Sequence, residues 1–363
     1  MYTKTIILNN KDNIKILDKV NINSKDLLIF DIETTGFSRE RSIIYLIGCI
    51  YSDSNSWYLK QWLCESLSDE KKVIQVFLDF SNKFNTIFHY NGDSFDIPFI
   101  EYRSEKHKLD SKINNIYSYD VYKNIKPYKT IFGLTSLKLK KIETFFNIKR
   151  NDLYSGKELI GYFYHFVKTN NLDLREKLLL HNEDDLKGLF NLIPILQYIY
   201  LFKDIKQGSL LDNYSIYKND DYLNININHN YLLPKPINYK NKYFSLDIKE
   251  KSILIKISII KDELKHFFSD YKNYYYLPKE DQAIHKSVGL YVTPSRREKA
   301  KASNCYIKKR GAFIPAWNKL QTSTFKKYYN DPMYYIDIEE ILNNTELLSQ
   351  YLIQLLHSNS LSF

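Results

Sequence analysis

The chain has 363 residues, 44% hydrophobic and 26% charged, with 52 Lys and Arg against 42 Asp and Glu for a net charge of +10. This is a globular composition, long enough for two domains with full cores, and it excludes a disordered or collagen-like chain. With no signal-peptide core near Met1 and no run of about 18 apolar residues, neither a leader nor a membrane span is expected, and the odd, scattered Cys49, Cys64 and Cys305 suit neither a disulfide framework nor a zinc cluster, so a reducing, cytoplasmic setting is expected.

In chain order, residues 5–8, 27–33, 43–51 and 57–62 read as strands, an early meander. Helical spacing follows over 68–84, where Val73, Ile74, Phe77, Leu78 and Phe80 share one side behind Ser68 and Asp69 as caps. Thr86–Tyr90 is a short β run ending in Asn91-Gly92-Asp93-Ser94, with a helix starting near Phe95. Asp120 opens another helix as an N-cap; 135–146 and 157–169 look helical, and 173–201 holds one or two helices interrupted by Pro194. Strands first, then strand–helix alternation, predict a mixed sheet flanked by helices. Residues 203–240 are polar, rich in Asn, Asp and Tyr, and read as a connector. Beyond it come a hairpin over 243–248 and 253–260, helices at 261–271 and 280–291 with a strand at 274–277 between them, and an amphipathic helix over 338–357.

Residues 29–36 read Ile-Phe-Asp-Ile-Glu-Thr-Thr-Gly. On a strand, Asp31 and Glu33 project from one face, and two acids on a buried face repel and lose solvation unless a cation compensates. Oxygen ligands of this kind suit Mg²⁺ or Mn²⁺. Asp96 falls in the first turn of a helix, where it can complement the dipole or serve as a third acid. In His181-Asn182-Glu183-Asp184-Asp185-Leu186, His181 and Asp185 are four apart and share a helix face. Three consecutive acids can form a solvated face, but Asp185 shares a sector with Leu178 and Leu189, Asp184 borders Leu180, and Glu183 lies well away.

This order of motifs resembles the DEDD 3′–5′ exonuclease superfamily on the RNase H-like fold, and within it the YprB-like family. The resemblance rests on Asp31-Ile32-Glu33-Thr34-Thr35-Gly36, on Tyr90 to Phe99 and on His181 to Leu186, with Asp120-Val121-Tyr122 and Gly133 to Leu137 also fitting; it covers about residues 25–200. It implies that Asp31, Glu33, Asp96 and Asp185 hold two Mg²⁺ or Mn²⁺ ions, which stabilise the attacking and leaving oxygens of an in-line displacement. It further implies that His181 orients or deprotonates the attacking water. One departure stands out: the histidine-type branch places His five residues before the last Asp and the tyrosine-type branch places Tyr four before, whereas here a His sits at the tyrosine-type spacing. Asp120 is taken as structural, and Asp93 and Glu143 as solvent-facing or structural.

A basic chain suits a polyanionic partner, although a Lys-, Asn-, Ile- and Tyr-rich composition raises the Lys count by itself. Over 286–310, Lys286, Arg296, Arg297, Lys299, Lys301, Lys308, Lys309 and Arg310 are interleaved with Tyr291 and Tyr306, a pattern that suits a single strand or a solvated surface. Tyr274-Tyr275-Tyr276 reads as a stacking platform or a half-buried strand.

The expected organisation is an RNase H-like domain at 1–202, a connector at 203–240 and an α+β domain at 241–363 that grips nucleic acid or a partner. The expected activity is two-metal 3′–5′ exonuclease hydrolysis of single-stranded DNA or RNA from its 3′ end, releasing nucleoside monophosphates. Thr34, Asn91, Arg296, Arg297, Lys299 and Lys301 are the expected nucleic-acid contacts. The alternatives are a nucleic-acid-binding adaptor on a retained nuclease fold and a structure-selective endonuclease using the same metals.

Overall fold

The computed structural model describes residues 1–8, 12–54, 56–151, 154–210 and 214–356. The chain divides into two compact units, the first comprising Met1–Lys129, Gly133–Tyr200 and Tyr231–Lys235, the second Thr130–Phe132, Leu201–Asn230 and Pro236–Phe363.

The first half of the chain runs β1 (Tyr2–Leu8), α1 (Asp12–Lys19), β2 (Leu27–Thr34), β3 (Ile44–Asp53), β4 (Ser56–Leu63), α2 (Glu70–Ser81), β5 (Thr86–His89), α3 (Asp96–Lys106), β6 (Tyr117–Asp120), α4 (Val121–Ile125), α5 (Leu139–Phe145), α6 (Gly156–Thr169), α7 (Leu172–Asn191) and α8 (Ile195–Gln207). The six strands form one sheet in the order β1-β4-β3-β2-β5-β6. β2 pairs antiparallel with β3 and parallel with β5, so the meander supplies one side of the sheet and the strand–helix alternation the other.

The period of two along β2 decides which helix covers which face. Phe30 turns its ring to Phe77 of α2 at 5.4 Å, while the neighbouring Asp31 faces Asn182 of α7. α2 and α7 therefore cover opposite faces of the sheet. The core between these layers includes Leu28, Phe30, Ile47, Trp62, Phe77, Ile100 and Phe163, all fully or almost fully buried. One buried ion pair ties α2 to α3: Arg103 Nε donates to Glu70 Oε1 at 2.7 Å, its second nitrogen reaches Glu70 Oε2, and Ile44 N donates to the same carboxylate at 2.9 Å. α7 begins one residue before the predicted start and ends just before Pro194, where α8 takes over.

The second half runs β7 (Tyr214–Lys218), β8 (Tyr222–Asn228), β9 (Ile237–Lys240), β10 (Phe244–Ile248), β11 (Ser252–Ser258), β12 (Ile260–Phe267), β13 (Tyr274–Leu277), β14 (Gln282–His285), α9 (Lys286–Gly289), β15 (Glu298–Lys299), β16 (Tyr306–Ala316), β17 (Thr324–Phe325), β18 (Tyr334–Asp337), α10 (Ile338–Leu342) and α11 (Thr345–Leu356). These strands build three sheets, ordered β7-β8-β11-β10-β9, β12-β16-β18-β17 and β14-β13-β15.

Four expectations are corrected in this half. Residues 203–240, read as a connector, carry β7, β8 and β9; alternating Leu223, Ile225 and Ile227 are buried, with the buried Asn224 and the half-buried Asn226 between them. The helix expected at 261–271 is instead β12, because Lys261 to Phe267 pair residue by residue with Tyr306 to Ala312 of β16. The helix expected at 280–291 resolves into β14 and the four-residue α9. The helix over 338–357 is broken at Asn343–Asn344 into α10 and α11, and its last residue lies outside the described residues. The Tyr274–Tyr276 run is a half-buried strand: Tyr274 stacks on Phe268 at 4.5 Å and Tyr276 donates to Asp281 at 2.7 Å.

Candidate metal centre

Three segments distant in sequence converge at the carboxyl end of β2. β2 itself carries Asp31 and Glu33, α3 opens on Asp96, and α7 contributes His181 and Asp185. The Asp96 carboxylate accepts from Ile32 N at 3.3 Å, which pins the start of α3 to the strand. His181 Nε2 lies 3.5 Å from Glu33 Oε1 and 3.6 Å from Asp185 Oδ2. Glu33, His181 and Asp185 each offer a ligand atom within 4.8 Å of the other two. The tightest group therefore includes His181, which the i, i+4 spacing turns to the same side as Asp185.

The acids are held against their own charge. Burial, followed by repulsion from Asp185, Asp96 and Glu33, raises the Asp31 carboxyl well above its ordinary value. Burial pushes Glu33 to about 7, with His181 opposing the shift. Burial also pushes Asp96 to about 7, even though two backbone N–H groups favour its charged form. Buried oxygen donors plus one imidazole, with a deficit of positive charge, fit a divalent cation.

Several residues that shape this site escaped the sequence reading. Asn182 is buried; its Nδ2 donates to Asp31 Oδ2 at 2.9 Å, and its Oδ1 accepts from Gln61 Nε2 at 2.9 Å. Gly48, opposite Asp31 in the register, makes room for it: a Cβ there would lie 2.0 Å from Asn182 Oδ1. The register slips between Glu33 and Thr34, which pair with Leu46 and Ile44, leaving Tyr45 as the extra residue of a bulge. Tyr45 stacks on Phe163 at 4.5 Å and donates to Glu33 Oε2 at 3.4 Å. Arg150 forms an ion pair with Asp185 Oδ1 at 2.5 Å while its Nε and a terminal nitrogen donate to Glu143 at 2.5 and 2.8 Å. Glu143 is thus buried rather than solvent-facing. Phe37 follows Gly36 and is 93% exposed, with its ring 6.2 Å from Phe95, the residue before Asp96. An aromatic straight after a glycine turn was the signal available for Phe37, and a glycine inside an apolar strand was the one for Gly48.

The three consecutive acids of α7 point in different directions, and none forms a solvated face. Glu183 meets Lys4 at 3.2 Å and Lys187 at 2.5 Å, Asp184 accepts from Asn151 N at 2.6 Å, and Asp185 faces the site.

A second group, His89, Asp93 and Asp120, lies beside the loop that delivers Asp96. Its members are hydrogen-bonded among themselves and to that loop. Asp120 accepts from Asn91 N at 2.9 Å and Asp93 N at 3.4 Å and caps α4 through Lys123 N. Asp93 accepts from Ser118 Oγ, and His89 Nδ1 accepts from Gly92 N at 3.0 Å. Burial lowers the His89 pKa against the opposing pull of Asp120 and Asp93. Asn91 turns the chain with φ of 62°, and a Cβ at Gly92 would lie 2.6 Å from His89 Nδ1, so this loop is a structural brace.

Thr34 Oγ1 donates to the Gly36 carbonyl at 2.9 Å. In the second unit, Arg296 pairs with Glu280, while Arg297 donates to the Gly289 carbonyl and stacks over Tyr275 at 4.6 Å. Lys308 pairs with Asp281 and Lys309 with Asp337. Lys299 and Lys301 are exposed, and neither forms an ion pair with a described residue. The three cysteines are free and buried, and among the described residues no helix is long and apolar enough to cross a membrane.

A family model described as the RNase H superfamily matches residues 28–197. Among solved structures, the chain is similar to a family B DNA polymerase from the archaeon Pyrobaculum calidifontis, at 16% identity over 69% of this chain and 36% of that one, with a TM-score of 0.41. It is also similar to E. coli exonuclease I in a zinc-bound complex with single-stranded DNA, at 13% identity over 55% of this chain and 53% of that one, with a TM-score of 0.27. For exonuclease I from Methylocaldum szegediense the values are 12%, 58%, 53% and 0.29. The chain thus spans between about a third and about half of these proteins. No curated protein matches it. Residues 28–197 thus match the RNase H superfamily model and carry an RNase H-like fold, a mixed sheet whose central strand bears the acid pair.

Proposed function

We propose that this chain is a divalent-metal-dependent nuclease that degrades single-stranded DNA or RNA from the 3′ end. The observation that carries the reading is the convergence of Asp31, Glu33, Asp96, His181 and Asp185 at one end of β2, with three of the acids raised by burial and by one another's charge. Asp31, Glu33, Asp96 and Asp185 are the residues that would hold two Mg²⁺ or Mn²⁺ ions, with His181 within reach of the same atoms. When bound, the ions supply the positive charge that a phosphodiester displacement needs on its attacking and leaving oxygens.

The chain's own groups do the rest. Asn182 and Tyr45 hold the Asp31 and Glu33 carboxylates through one hydrogen bond each, so these acids are oriented before any ion arrives. His181 Nε2 is the proton acceptor for the attacking water, fixed between Glu33 and Asp185. Phe37 and Phe95 offer aromatic faces next to the acid-bearing segments, and a terminal base stacks there without regard to sequence. The backbone around Thr34 and Asn91 lines the same end of the sheet. Lys299 and Lys301 of the second unit offer phosphate contacts.

The test is a panel of end-labelled single- and double-stranded DNA and RNA, with Mn²⁺ or EDTA, on wild type and Asp31→Asn. Mononucleotides released only from wild type with metal are expected. A ladder of internal fragments would replace the exonuclease by an endonuclease, and no cleavage on any substrate would remove the enzyme reading.

A further inference from the structure

Arg150 reaches the site from the segment after α5, and its guanidinium is committed on two sides. Nε and one terminal nitrogen form a fork on Glu143 at 2.5 and 2.8 Å, and the other terminal nitrogen contacts Asp185 Oδ1 at 2.5 Å. A guanidinium offers five donors in a rigid plane, so fixing one edge fixes the direction of the other. The anchor itself is enclosed: Glu143 is 1% exposed, and it packs where α7 carries Gly188. A Cβ at 188 would lie 1.8 Å from Glu143 Oε1, so the helix surface is cut away at the place this carboxylate occupies. A second tie holds the same segment to α7, Asn151 N donating to Asp184 at 2.6 Å. The consequence for Asp185 is a division of labour between its oxygens. Oδ1 is taken by Arg150, and Oδ2 is the one that lies 3.6 Å from His181 Nε2, on the side of Glu33.

We propose that Arg150, anchored by Glu143, is a positioning residue that orients Asp185 so that Oδ2 is presented to the divalent cation. This inference rests on the nuclease reading above. The Glu143–Arg150 pair is neutral as a whole, so removing both members leaves the net charge around the site unchanged. Removing both members together therefore isolates orientation from charge.

The experiment compares wild type, the double variant Glu143→Leu/Arg150→Met and the single variant Arg150→Lys. Replacing a buried ion pair by apolar side chains of similar size is often neutral for stability, so the double variant is expected to keep its thermal midpoint. Its Mn²⁺ affinity, titrated by calorimetry, is expected to fall about 10–100-fold, the range for residues that orient a ligand. Its kcat is expected to fall in step while KM for an oligonucleotide is unchanged. Arg150→Lys keeps the charge but lacks the fork, and is expected to behave like the double variant; it also supplies the comparison if the double variant melts early. Wild-type Mn²⁺ affinity and kcat in either variant would overturn the inference and leave the nuclease reading standing. A wild-type protein that neither binds Mn²⁺ nor cleaves would overturn both.

Discussion

Asp96→Asn separates what the acid cluster does for function from what it does to stability. Asp96 is buried at the start of α3, and its carboxyl is raised from 3.8 to about 7. Roughly three pKa units correspond to about 4 kcal/mol between the protonation states at 1.36 kcal/mol per unit. Because neighbouring acids titrate together, one substitution recovers about 2–4 kcal/mol of this. A raised folded-state value means that the folded protein binds the proton more tightly than the unfolded chain. The stability of metal-free wild type therefore falls as pH climbs from about 4 to about 7 and is level beyond. Asn mimics the protonated acid and keeps an oxygen to accept from Ile32 N. In EDTA, the variant is expected to match wild type near pH 4 and to melt about 5–15 °C higher at pH 8, while its cleavage with Mn²⁺ is lost. Melting followed by circular dichroism at both pH values decides. A variant no more stable than wild type at pH 8, or a difference independent of pH, would refute the claim that uncompensated charge is stored at the site.

Three further outcomes follow from other parts of the molecule. Phe37→Ala is expected to raise KM for single strands by a factor in keeping with about 1–3 kcal/mol of base stacking, with kcat little changed; unchanged KM in steady-state kinetics would remove Phe37 from the substrate path. Arg103→Ala takes the guanidinium from the buried Glu70 carboxylate, leaving it His107 and Ile44 N, and is expected to destabilise the protein by about 3 kcal/mol, read as a shift of the urea midpoint. Lys299→Ala/Lys301→Ala is expected to leave Mn²⁺ binding intact and to lower the salt slope of single-strand binding by about 1.4, at about 0.7 per lost phosphate contact; an unchanged slope would mean that these lysines face only solvent.

Much of the site was legible because it is written in local periodicities. The two-residue spacing of Asp31 and Glu33 on an apolar strand and the four-residue spacing of His181 and Asp185 on a helix each put two groups on one face by backbone geometry alone. The Asn91-Gly92 turn before Asp96 is a local signal of the same kind. The strand–helix errors lay where local signals are weak: Lys261 to Phe267 alternates polar and apolar residues only imperfectly, and its pairing with β16, some forty residues on, made it a strand. Likewise, β7 to β9 hide in a polar stretch because Asn and Tyr are interleaved with their apolar residues.

By itself, then, the sequence determined the acid pair, the shared face of His181 and Asp185, and the mixed sheet, while the place of Asp96 beside them was what the family resemblance implied. Those features depend on turns, on periods of two and 3.6, and on the order of strands and helices. Only the tertiary structure decided how each carboxylate is held. Asn182 reaches Asp31 across the gap left by Gly48, the bulge aims Tyr45 at Glu33, and Arg150 crosses from Glu143 to Asp185 beside Gly188. No spacing encodes such contacts, because each depends on the room left by a missing side chain on another element.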